Sequence, residues 1–207
     1  MRRLETRLEG PILVEPVVHG DPRGFFYESY RRQVYSDLGI PQEFVQDNHS
    51  RSRRGIVRGM HFQVGRGMAK LVRCGHGAVT DVVVDLRRGS PAYGEWEAFE
   101  LNDENCRQLL CPIGFAHGFA VTSESADVLY KCDAYYDGSI ERGIRYDDPD
   151  IGIQWPDVEL IPSERDASAP LLRDVANELP FVHQGAADAT PEFPPLTIGG
   201  EASTLVS

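Results

Sequence analysis

Between Arg58 and Lys70 the chain sets a guanidinium, an imidazole and an ammonium within thirteen residues, as Arg58-Gly59-Met60-His61-Phe62-Gln63 and then Ala69-Lys70-Leu71-Val72. An imidazole titrates near neutrality and can take a proton at pH 7. Flanking positive charge disfavours its cationic form, which keeps a lone pair free for use as a base. A histidine alone on a strand is more often a buried group with satisfied ring nitrogens, so reading His61 as a base depends on those two cationic neighbours. A second histidine stands in Pro112-Ile113-Gly114-Phe115-Ala116-His117-Gly118, and phenols follow in Tyr130-Lys131-Cys132-Asp133-Ala134-Tyr135-Tyr136. On an extended strand Tyr130 and Tyr136 would share a face with Cys132 and Ala134. That face has two readings: an aromatic core stripe, or phenols lining a polar cavity where a hydroxyl finds a partner and can give up its proton.

These groups need a rigid frame, and the pattern around them is one of short strands. Ala78, Thr80, Val82, Val84 and Leu86 alternate with Val79, Asp81, Val83 and Asp85, a period of two that favours strand over helix. Further strands are predicted over 10–18, 96–101, 107–111, 115–121 and 127–136, with turns at Gly20-Asp21-Pro22-Arg23-Gly24 and at residues 87–91. A short helix is predicted over 31–38, stopped by Gly39. Residues 162–172 read as irregular. Short strands at such regular spacing indicate a closed or sandwiched all-β body.

The 207 residues are enough for one core, and 41% hydrophobic with 26% charged residues is ordinary globular composition. A net charge of -11 argues against a broad grip on nucleic acid or on an anionic membrane. An anionic ligand would need a local cluster such as Arg51, Arg53, Arg54 and Arg58. The basic amino terminus lacks an apolar run behind it, and no window reaches the length of a membrane span, so a cytoplasmic address is expected. Cys74, Cys106, Cys111 and Cys132 lack CxxC spacing and read as reduced packing residues. Residues 1–180 are expected to form the domain. Beyond them, small residues and proline predict a disordered tail over 181–207.

The PxGxxH spacing around His117 is the second half of the cupin signature. A metal-binding cupin also needs an HxH in its first motif, whereas this chain has His61-Phe62-Gln63, so the usual three-ligand site cannot be assembled and no metal or cofactor is expected. Taken in order, the motifs Asp21 to Glu28, Gly55 to Gln63, Ala69 to Val72, Asp81 to Arg87, Ser90-Pro91, Pro112 to Phe119, Tyr130 to Cys132, Trp155-Pro156 and Ser163-Glu-Arg-Asp166 closely resemble the dTDP-4-dehydrorhamnose 3,5-epimerase family over roughly residues 4–175.

The resemblance implies a metal-free cupin jelly roll with a few short helices, acting as a homodimer on a thymidine-diphosphate-linked 4-keto-6-deoxyhexose. It implies His61 as base, Asp166 as the carboxylate orienting it, Tyr130 as proton donor and Lys70 beside the C4 oxygen. Arg23 and Arg58 would hold the diphosphate, with Gln46, Asn48, His117, Tyr136 and Glu141 lining the sugar and nucleotide site. Phe26 and Glu28 would reach the nucleotide from the partner subunit's amino-terminal arm. These roles suit the chemistry: a proton next to a ketone is lost only if a base stands at carbon and a cation or donor at the oxygen. The segment 62–68 is shorter than the family's usual loop and lacks its prolines, and some antibiotic-sugar relatives invert C3 alone, so inversion at C3 only and at both C3 and C5 both stay open. Two other classes also remain: a non-catalytic sugar-nucleotide-binding cupin, and a metal-dependent cupin enzyme.

Overall fold

The computed structural model describes residues 1–185. Its strands are β1 (Arg2–Leu4), β2 (Ile12–Glu15), β3 (His19–Asp21), β4 (Gly24–Phe26), β5 (Gln46–Arg53), β6 (Val57–Gln63), β7 (Lys70–His76), β8 (Ala78–Asp85), β9 (Trp96–Asn102), β10 (Gln108–Cys111), β11 (Phe115–Val121), β12 (Ser125–Cys132) and β13 (Glu141–Gly143). Three short helices, α1 (Arg32–Asp37), α2 (Glu164–Ala167) and α3 (Leu172–Val175), complete it, with a 3-10 turn at Ala176–Glu178. Six strands form one sheet in the order β1-β2-β10-β7-β12-β5, five form a second in the order β13-β6-β11-β8-β9, and β3–β4 is a separate hairpin. This is the expected all-β jelly roll.

Both faces of the five-stranded sheet are covered, which explains why β8 carries apolar side chains on both sides of its alternation. Val79 and Val83 point between the sheets, into a core with Leu13, Val72, Leu101, Leu109, Phe115, Phe119 and Val128. Val82 and Val84 point outward, where Ile144, Leu172, Leu179 and Phe181 cover them. The outer face of the six-stranded sheet is sealed by Tyr35 of α1 and by Ile40, packed on Ile12, Val14, Leu71 and Leu110.

Three sequence expectations are corrected. The strand predicted over 127–136 ends at Cys132, so Tyr136 lies outside it, exposed, and shares no strand face with Tyr130. The stretch predicted as irregular over 162–172 contains α2, whose first turn is capped by Ser163 Oγ accepting from the Asp166 N–H at 3.1 Å. Packing also continues past Pro180: Phe181 is buried against Phe62, and the His183 N–H donates to the Arg88 carbonyl. The tail expected over 181–207 lies, from 186 onward, outside the described residues. No helix among the described residues is long and apolar enough to cross a membrane.

Candidate active site

One irregularity places the key side chains. Across β6 and β11 the register pairs His117 with His61 but Phe119 with Arg58, so β6 carries an extra residue there. Residues three apart on a regular strand face opposite sides; the bulge turns Arg58 and His61 toward the same cavity. Glycine is required at the crossing, because a Cβ on Gly59 would lie 2.5 Å from Gly118 Cα, and one on Gly118 would lie 2.7 Å from the Arg58 carbonyl oxygen.

That cavity, about 470 Å³, lies between the sheets, within the range of small-ligand sites. The five-stranded sheet contributes Arg58, His61 and His117. The six-stranded sheet contributes Lys70 and Tyr130, and the segment before and within α2 adds Ser163, Arg165 and Asp166. Imidazole and phenol therefore stand on opposite walls. Lys70 pairs across the ladder with Cys132, two residues from Tyr130, so ammonium and phenol share a wall.

His61 Nε2 lies 2.7 Å from Asp166 Oδ1. Burial works against ionisation of this carboxyl, but the hydrogen bond and charge of His61, with Ser163 and the Gly59 N–H, outweigh it and hold Asp166 below the usual aspartate range. An ionised Asp166 can only accept, which places the ring proton on Nε2 and the lone pair on Nδ1. Nδ1 has no hydrogen-bond partner among the described residues, and the side chain is 25% exposed. Burial pushes the Tyr130 phenol above its ordinary value, with Asn48 acting in the other direction, so Tyr130 is a protonated donor at neutral pH. Neither Lys70 nor Arg58 has a carboxylate partner among the described residues, while the Arg58 Nε donates to Ser52 Oγ at 3.0 Å. Despite the acidic chain, the cavity is locally cationic.

His117 is held differently. Its Nε2 lies 3.0 Å from both oxygens of Asp81, a carboxylate with no exposed surface on the inward face of β8. Such a group requires a partner, and His117 supplies it. The sequence reading singled out neither Asp81 nor Arg165. The alternation that put Asp81 beside Val79 and Val83 was the available signal for the first; none pointed to the second.

Gln46, Asn48, Tyr136 and Glu141 gather beside the cavity rather than within it. Gln46 donates to Asn48 Oδ1 at 3.1 Å and accepts from the Tyr136 N–H at 2.9 Å. The Tyr136 hydroxyl donates to Glu141 at 3.0 Å, and Glu141 also pairs with Arg165 at 2.6 Å. Glu141 faces a second cavity of about 330 Å³ behind β6 that shares His61, Arg165 and Asp166 but has neither phenol nor ammonium. Arg23, Phe26 and Glu28 do not line the cavity within one chain. Arg23 pairs with Asp21 and Glu28 with Arg31, while Phe26 is 72% exposed on β4. Among the described residues no three His, Cys, Asp or Glu side chains converge as a metal site.

A jelly roll whose hollow sets a carboxylate-bound imidazole opposite a phenol, with an ammonium on the phenol's wall, has the groups for proton transfer at a carbon beside a carbonyl, and similarity to known proteins places the chain among the carbohydrate epimerases. The family model described as dTDP-4-dehydrorhamnose 3,5-epimerase matches residues 5–174, and the chain belongs to that family. It is 49% identical over 172 residues to the dTDP-4-dehydrorhamnose 3,5-epimerase of Salmonella typhimurium, covering 82% of this chain and 94% of the relative. It is 39% identical over 203 residues to the dTDP-4-dehydrorhamnose 3-epimerase of Streptomyces niveus, covering 96% and 98%. The crystal structure of the Legionella pneumophila dTDP-6-deoxy-D-glucose-3,5-epimerase in complex with dTDP-4-keto-L-rhamnose superposes with a TM-score of 0.85 at 44% identity, covering 88% of this chain and 98% of that one. The chain is thus an epimerase of dTDP-linked sugars in deoxysugar biosynthesis.

Proposed function

We propose that this enzyme inverts C3 of dTDP-4-keto-6-deoxy-D-glucose through an enolate. The observation that carries this reading is the single cavity with His61 on one wall and Tyr130 and Lys70 on the other. His61 Nδ1 takes the C3 proton, and the C–H electron pair moves toward the C4 oxygen. Lys70, which has no carboxylate partner among the described residues, meets the charge that develops there. Tyr130 returns a proton to C3 from the opposite face, which inverts the centre. Asp166 fixes the imidazole tautomer and stabilises the imidazolium, as an orienting carboxylate does in other histidine-base sites. Arg58 and Arg165 supply positive charge for the diphosphate, and His117, held by Asp81, contacts the sugar.

Inversion at C3 is the step shared by the activities named for both kinds of relative, the Salmonella 3,5-epimerase at 49% identity and the Streptomyces niveus 3-epimerase at 39%. The β3–β4 hairpin, with Phe25 and Phe26 exposed, is read as an arm that crosses to a second copy in a homodimer and brings Arg23, Phe26 and Glu28 to the partner's cavity. Incubation with the 4-keto substrate in deuterium oxide tests the chemistry by NMR. Deuterium at C3 of an inverted product is expected. Label at C3 alone marks a 3-epimerase, label at both C3 and C5 a 3,5-epimerase, and none at either carbon would overturn the enzyme reading.

A further inference from the structure

Lys70 is the first residue of β7 and follows a loop containing Gly65 at φ +72° and Gly67 at φ +78°. Such a lead-in leaves the entry to the strand free to vary, yet stabilising an enolate oxygen needs an ammonium held in one place. Lys70 pairs with Cys111 on one side and Cys132 on the other, and the residue before it is gripped by Asp133, one residue past the end of β12. Its Oδ1 accepts from the Ala69 N–H at 2.8 Å, and its own N–H donates to the Ala69 carbonyl at 3.2 Å. Its carbonyl accepts from the Arg66 guanidinium. Both backbone polar groups of the residue preceding Lys70 are therefore held by one side chain and its own peptide. Asp133 is only 8% exposed, and burial pushes its carboxyl upward, against the Ala69 N–H and Arg66. A continued backbone ladder would have satisfied Ala69 without burying an acid, so the acid is better explained by the aim of Lys70 than by folding.

We infer that Asp133 is a positioning residue for the reaction: by locking Ala69 it sets the line along which Lys70 enters the cavity. The inference rests on the role given to Lys70 above. The test compares D133A, D133N and K70A in the full chain, measuring kcat, KM for the 4-keto sugar nucleotide and C3 hydrogen–deuterium exchange, with thermal melts as a check on folding. D133A should lower kcat and exchange at least tenfold with KM within threefold. D133N should recover most of the loss, because its amide oxygen can still accept from Ala69. D133A should add nothing in the K70A background, since residues acting through one another are not additive. If D133A does not melt cooperatively, D133V, close in volume and unable to accept, takes its place. Unchanged kcat in D133A, or a further full tenfold loss on top of K70A, overturns the inference. Absence of exchange in the unaltered enzyme would instead overturn the epimerase reading.

Discussion

Replacing Asp166 by asparagine removes one charge from a contact that is otherwise nearly isosteric. Asp166 is 4% exposed and accepts from His61 Nε2 at 2.7 Å. If the amide oxygen faces the ring, the hydrogen bond survives without its charge. If the amide nitrogen faces it, Nε2 must become the acceptor and the proton moves to Nδ1, which leaves the base with no lone pair toward substrate. A hydrogen bond involving a charged group contributes about 1.5–3 kcal/mol, and about 1.4 kcal/mol corresponds to a factor of ten. D166N is therefore expected to lower kcat by about 10- to 150-fold with KM little changed. The cap from Ser163 Oγ to the Asp166 N–H is a backbone contact and is retained, so folding should be preserved. The assay is C3 exchange in deuterium oxide, followed by NMR at saturating substrate, with D166N compared with H61N and the double variant. H61N/D166N should be no slower than H61N. Activity of D166N within threefold of the unaltered enzyme would refute the assignment of Asp166 as the group that sets the imidazole tautomer.

Y130F removes the proton donor but leaves base and ammonium in place, so exchange at C3 with retained configuration is expected, and a normal yield of epimer would show that another group delivers the proton. F181A should destabilise the fold by about 3 kcal/mol, the lower end for loss of a buried aromatic, because Phe181 packs edge-on against Phe62 at 6.1 Å; a denaturant midpoint shift without a change in KM checks this, and no shift would mean that the carboxyl-terminal segment is not anchored there. Stability should fall in acid. The Arg51 hydrogen bond lowers Asp127 from 3.8 to about 2, and Asp166 is also lowered. A depressed folded value contributes stability above the ordinary aspartate range and loses it as pH falls toward 2. Urea melts of D127N should show a shallower loss between about pH 4 and 2, and an identical slope would contradict the assignment.

Much of the fold was legible because strands announce themselves locally. The alternation in β8 and the Pro-Ile-Gly-Phe-Ala-His run that leads into β11 are set by residues that fold next to their chain neighbours, and the groups capable of proton transfer were visible by type in His61, Lys70 and Tyr130. Tyr136 was misplaced for a tertiary reason. The ladder stops where the Asp133 carboxylate takes the Ala69 N–H, a partner 64 residues away in sequence. The α2 turn was missed because four residues carry almost no periodicity, and it matters only through what Asp166 meets on β6, about a hundred residues earlier in the chain. Sequence by itself determined which chemical groups the chain possesses and that they ride on strands, because side-chain type and short-range alternation are properties of neighbours. Tertiary structure alone decided which of those groups face one another: a single extra residue in β6, accommodated by Gly59 against Gly118, sets which side of the sheet Arg58 and His61 occupy, and strand pairing between distant segments brings the phenol and the ammonium to the opposite wall.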